Sequence, residues 1–178
     1  MRRFINLFVF FVFFVTLVTW CAKDVQAQDT PTVRWGFVLN FARYVEWSPA
    51  TFKPGEPLSV CLAPGDAGMD AKLSELAKQT VQNRRVQVKP LTRPSDVDNC
   101  KILYLPAEMP APLSAWLAAA SKTGSLTVSD LPDFADLGGM IGLVSVNGRY
   151  RFDINLGNAR QADLRISAYL FKLARTVK

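Results

Sequence analysis

The sequence predicts an α/β fold: one domain, a mixed β-sheet with helices on both faces in three α/β/α layers, and a C-terminal β-hairpin followed by a long helix. Three observations carry that prediction. Short apolar β runs alternate with helical patterns from Leu58 onward. An Asn147-Gly148 pair separates two β runs near the C-terminus, the strongest short hairpin signal a sequence offers. No internal repeat, linker or low-complexity stretch divides the chain.

In chain order, residues 1–27 read as an export signal, with Arg2-Arg3 as the basic start and an uncharged apolar run from Phe4 to Trp20. Val25-Gln26-Ala27 supplies small residues at the −3 and −1 positions, so cleavage is expected after Ala27, leaving a periplasmic domain over 28–178. An uncleaved membrane anchor is the alternative, which Lys23, Asp24 and the small-residue site argue against. A helix is expected over Val33–Trp47, where apolar residues fall at 33, 37, 38, 41, 44 and 45 and Pro49 stops the run. Trp35, Leu39 and Ala42 make its other side apolar too, as in a helix buried on two faces or offered to a partner.

Next come a strand at Leu58–Leu62 and an amphipathic helix at Ala71–Thr80 behind Asp70 as N-cap. A half-buried strand is expected at Arg85–Leu91, a turn at Pro94-Ser95, an apolar strand at Ile102–Leu105 and a helix over Pro110–Ala120. Leu126–Val128 is another apolar strand, followed by a loop from Asp130 to Gly139 long enough to carry a site. Ile141–Val146 and Tyr150–Ile154 are the hairpin. From Asn158 to Val177, Ile166, Leu170, Leu173 and Val177 repeat at four, three and four residues, which predicts one closing helix.

Composition limits the chemistry. Of the 178 residues 49% are apolar, but six of the twelve Phe lie in the first 27, so the remainder has an ordinary soluble composition. His is absent, which removes Ser-His-Asp and Cys-His nucleophiles and the usual zinc ligand. The formal charge of +6 is spread in singles and pairs; its densest cluster, Arg84-Arg85 with Lys89 and Arg93, has no interleaved aromatics and reads as a solvated strand end, with no nucleic-acid partner implied. Once Cys21 leaves with the signal, Cys61 and Cys100 remain, and an even pair in an oxidising compartment reads as a disulfide closing a loop of about 40 residues.

Chemical motifs are weak. Gly138-Gly139-Met140-Ile141-Gly142 resembles a phosphate loop but precedes a strand where such loops open a helix, so backbone turning is the expected role. Asp130, Asp133 and Asp136 have the spacing of a solvated loop more than of a cation site. No catalytic residue, metal ligand or cofactor is assigned, and an enzyme is not expected. Arg43, Trp47 and Arg165 are candidates for a small-molecule pocket that takes an anionic or aromatic ligand, against the alternative of ordinary packing and surface charge.

Several strings together resemble the YfiR family of periplasmic regulators: Phe37 to Trp47, Leu58-Ser59-Val60-Cys61 and Asn99 to Leu105 in the first half. Leu126 to Asp130, Gly138 to Ile141, Arg151 to Leu156, and Leu164 to Ser167 running into Leu170 to Ala174 carry the second half. The resemblance covers about Val33 to the C-terminus. It implies an exported α/β protein that represses an inner-membrane diguanylate cyclase (YfiN-like) by binding its periplasmic part, within cyclic-di-GMP signalling and biofilm regulation. An outer-membrane lipoprotein (YfiB-like) that draws the repressor away, and a homodimer, are further partners. A sensor subunit for another receptor, such as a sensor kinase, is the alternative. The resemblance also implies the Cys61–Cys100 disulfide, whereas Ala135 and Gly142 stand where the best-known members carry a second cysteine pair. On this reading repression depends on the final hairpin and the element after it. Side chains alternate along a strand, so Phe152 and Ile154 should face the core, leaving Arg151 and Asp153, with Arg160 beyond, as candidate partner contacts.

Overall fold

The computed structural model describes residues 30–66 and 73–178; the expected export signal, and Asp70 with the start of the helix behind it, lie outside the described residues. The elements are α1 (Thr30–Arg43), β1 (Val45–Trp47), β2 (Leu58–Leu62), α2 (Leu73–Leu76), β3 (Thr80–Val81), β4 (Arg84–Pro90), β5 (Ile102–Leu105) and α3 (Leu113–Thr123). They continue with β6 (Leu126–Ser129), β7 (Ile141–Val146), β8 (Arg149–Ile154), α4 (Leu156–Gln161), β9 (Leu164–Ile166), α5 (Ala168–Leu173) and β10 (Thr176–Val177).

Eight strands form one mixed sheet in the order β10-β8-β7-β6-β5-β2-β4-β3, parallel from β4 through β7, with antiparallel β7–β8 and β3–β4 pairs toward its ends. The central strands β2, β5 and β6 are buried on both faces, as a strand covered by helices on each side must be. On one face Trp35, Val38, Phe41 and Ala42 of α1 pack onto Val60, Ile102, Tyr104 and Leu126. On the other, Trp116 and Ala120 of α3 pack onto Cys61, Leu103 and Leu105. The three-layer α/β fold expected from the sequence is therefore the one observed.

Cys61 in β2 and Cys100 just ahead of β5 are disulfide-bonded with Cα atoms 5.8 Å apart, inside the core under α3. The hairpin also follows its sequence: Asn147 and Gly148 both take positive φ, 50° and 72°, the geometry that lets a two-residue turn match the twist of its strands.

Three helices are shorter than periodicity predicts. The one expected to reach Thr80 ends at Leu76, and Thr80 opens β3, paired antiparallel with Arg85 of β4. The first helix stops at Arg43, because Val45 and Trp47 alternate with Glu46 as buried, exposed, buried and pair antiparallel with β9. The closing helix is not continuous: α4 ends before Asp163, which sits at φ 57°, then Leu164–Ile166 pairs with β1, and α5 restarts with the Ser167 hydroxyl accepting from the Tyr169 N–H at 3.2 Å. The four-three-four spacing was compatible with one helix, but Leu164 and Ile166 have period two and the partner strand β1 captures them.

Candidate functional site

In this sheet the chain leaving β2 runs to α2 on the α1 face, while the chain leaving β5 runs to α3 on the opposite face. The carboxyl ends of β2 and β5 thus border a topological switch point, where open α/β sheets commonly receive ligands. Here the crevice is filled from within. Arg34 of α1, its side chain only 13% exposed, pairs with Asp66 at 2.8 Å, pairs with Asp130 beyond β6, and donates to the Tyr104 hydroxyl at 3.4 Å. Asp130 also accepts from the Ala107 N–H at 3.1 Å. The loops after β2 and β5 approach so closely that a Cβ at Gly65 would lie 2.8 Å from the Glu108 carbonyl oxygen. Burial opposes the charge on Arg34, but Tyr104, Asp130 and Asp66 outweigh it and its pKa is raised. Burial, then the neighbouring Asp130 charge, pushes the Tyr104 hydroxyl up, so it stays protonated. The arrangement fastens α1 to three strand ends.

The candidate partner residues divide. In the β7–β8 register Val144 faces Arg151, Gly142 faces Asp153 and Val146 faces Arg149. Phe152 and Ile154 are buried in the core under α1. Arg151 and Arg149 are exposed beside Val146 at 37% exposure. Asp153 is buried instead: it accepts from Arg175 Nε at 2.9 Å, pairs with a terminal nitrogen of the same guanidinium, and accepts from the Thr176 hydroxyl at 2.6 Å. The bond from Arg175 holds the Asp153 carboxyl below its ordinary range against the opposing effect of burial, with Thr176 adding to it. Its carboxylate clasps β10 to β8. Arg160 is exposed on α4, whose N-terminus is capped by Asn155 accepting from the Asn158 N–H at 2.9 Å. Neither Arg151 nor Arg160 makes an ion pair among the described residues.

Of the candidate pocket residues, Trp47 and Arg165 share a cavity of about 550 Å³ formed where β1 meets β9, with Glu46 and Asp163 on its wall. Arg43 lies elsewhere, lining the cleft between α1 and α2 and donating to Asn40 Oδ1 at 3.2 Å. The acidic loop disperses as well, since Asp130 turns to Arg34 and Asp136 to Lys178. In the glycine run, Gly138 takes φ 100°, and a Cβ at Gly139 would lie 2.0 Å from the Phe134 ring, so these glycines turn the chain and admit Phe134 to the core. Sequence reading missed the Arg34 cluster. Its members lie up to 96 residues apart, and only Asp130 had stood out.

The YfiR/HmsC-like family model matches residues 31–175. The chain is a YfiR/HmsC-like protein. At the level of the family, YfiR/HmsC-like proteins are regulators in cyclic-di-GMP signalling that work with membrane signalling proteins. No curated protein matches the chain. Among solved structures, a conserved domain protein from Vibrio cholerae O1 biovar eltor is similar in fold, with a TM-score of 0.51 and 13% identity over 68% of this chain. This chain spans 55% of that protein's length. Among the described residues of the YfiR/HmsC-like chain, no helix is long and apolar enough to cross a membrane.

Proposed function

We propose that this YfiR/HmsC-like protein is exported, loses residues 1–27, and represses the periplasmic part of an inner-membrane diguanylate cyclase by direct, non-catalytic binding. The observation that carries the reading is family membership across nearly the whole domain. The reading is supported by exposed Arg149, Arg151 and Val146 on the hairpin and by exposed Arg160 on α4. Arg149 and Arg151 beside the exposed Val146 suit a partner segment with acidic groups, and charge reversal within such an interface costs enough to release a partner held at micromolar affinity. Asp153 belongs to the support of this surface. Its carboxylate is engaged with Arg175 and Thr176 and acts by holding the hairpin edge in place.

In a cell carrying the cognate cyclase, the double variant R151E/R160E should raise cyclic-di-GMP while the exported protein keeps its thermal midpoint. A folded double variant that represses like the parent would refute this surface. Intact-mass measurement of the exported chain should give a mature form beginning at Gln28. A mass retaining Met1 to Ala27 would refute the export reading.

A sensor subunit for another receptor is the second reading, favoured by the shared cavity of Trp47 and Arg165. Glu46 and Asp163 in the same wall offset the pull of Arg165 on an anion. Titration with benzoate followed by intrinsic tryptophan fluorescence should quench saturably, and lose the effect in R165A, only if this reading holds.

A further inference from the structure

A different cleft, unmarked in the sequence, lies between α3 and α4. We propose that it binds an uncharged, mainly apolar small molecule bearing one hydrogen-bond acceptor. The cavity measures about 530 Å³, inside the usual range for small-molecule sites. Leu113, Leu117, Ala120, Leu137, Met140 and Ala162 supply its apolar surface, and its polar lining consists of Ser114, Ser121, Thr127, Asn158 and Gln161. No residue lining it carries a charge, so neither an anion nor a cation finds a partner there, and either would lose hydration on entering.

Two details point to occupation. Leu137 on the wall is 54% exposed, among the most exposed large apolar side chains described, and a ligand in the cleft would cover it. Thr127, in the central strand β6, is only 2% exposed and also lines the cavity. Its oxygen accepts from the Met140 N–H at 3.0 Å, but among the described residues no acceptor takes its own hydroxyl hydrogen. A buried donor left unused costs free energy, and a ligand carbonyl or ether oxygen would satisfy it. Gly138 borders the space at φ 100°, a conformation that favours glycine, and a Cβ there would come into ordinary contact with Leu117 Cδ1 at 3.4 Å.

The inference does not rest on the partner reading, although Gln161 in the wall adjoins Arg160 on the proposed partner face. Ligand-observed NMR on the mature protein tests it with acetophenone and coumarin as neutral acceptor-bearing probes, toluene as the probe without an acceptor, and benzoate and benzylamine as charged ones. Acetophenone and coumarin should bind saturably, and S121W, which places a large side chain over the rim from an exposed helical position, should abolish their binding while leaving the circular dichroism spectrum unchanged. Thr127→Val should weaken acetophenone about fivefold, as expected for one neutral hydrogen bond, and leave toluene unaffected. Any benzoate or benzylamine signal should be insensitive to S121W. If neither neutral acceptor probe binds the parent protein, or if their binding survives S121W, the proposal is overturned.

Discussion

The centre of the sheet and its β8–β10 edge are held by different chemistry. At the centre Cys61 and Cys100 join the neighbouring strands β2 and β5 covalently, under α3. At the edge, β10 is only two residues long, attached by the Asp153–Arg175 pair, the Thr176 hydroxyl and a few backbone bonds, among them Arg175 N–H to the Phe152 carbonyl at 2.7 Å and Lys178 N–H to the Ile154 carbonyl at 2.9 Å. A disulfide acts mainly by restricting the unfolded chain and holds at any acidity, whereas an ionic clasp acts on the native state and fails when its carboxylate is protonated. The edge can therefore open locally while the stapled centre stays folded. The hairpin proposed to meet a partner belongs to the more labile region.

The largest way to break the contrast is at the centre. Replacing both Cys61 and Cys100 by Ser should cost about 4 kcal/mol, lowering the thermal midpoint by about 10 °C with the fold retained. An unchanged midpoint would mean that the staple contributes nothing. Next in size is Arg34→Met, which leaves Asp66 and Asp130 facing one another in the crevice without their shared cation. Removing one partner of such a buried group should cost about 3 kcal/mol in chemical denaturation. A loss below about 1 kcal/mol would show that water solvates the crevice well.

The two regions also differed in how far the sequence disclosed them. Leu58–Leu62, Ile102–Leu105 and Ile141–Val146 were legible to the residue, because continuous apolar runs bounded by turns have few alternatives. Cys61 and Cys100 were legible through their parity once Cys21 is assigned to the expected export signal. The β1–β9 pair was not, since each strand is three residues long and lies beside a true helix whose period its apolar residues also fit. Arg34 with Asp66 and Asp130 was invisible for another reason: nothing local marks a charge as one that will be buried. Asp153 was placed on the correct face, but its partner comes from the final segment, where a helix had been expected.

At the edge, Asp153→Asn removes the charge and keeps the size. It should cost about 1 to 2 kcal/mol, less than the changes at the centre, because the Arg175 side chain is half exposed and water screens the pair. Acidity gives this loss a signature. The folded-state pKa of Asp153 lies below that of the unfolded chain, so its stabilisation is complete above the ordinary carboxylate value and disappears as pH falls through the folded value. The difference between the parent and D153N should be constant near neutrality and shrink below about pH 4. A difference that persists undiminished at low pH would assign the loss to packing and not to the clasp.

The smallest expected effect is at Arg151, two residues from Asp153 on the same strand and the same face. Strand alternation alone treats the two as equivalent, yet Asp153 is buried with three bonds from Arg175 and Thr176, while Arg151 is exposed opposite Val144. Charge reversal by R151E removes no buried contact and leaves the Asp153 clasp in place, so its cost should stay under about 0.5 kcal/mol, a midpoint shift of about 1 to 2 °C. Thermal unfolding of R151E and D153N side by side at neutral pH measures the separation directly. If R151E is as destabilised as D153N, then Arg151 also supports the edge, and a loss of repression in R151E/R160E would report on the fold of the hairpin. If R151E keeps the parent midpoint and D153N falls, the outward face is free of structural duty at Arg151, and a regulatory effect of that residue must come from what it touches on a partner.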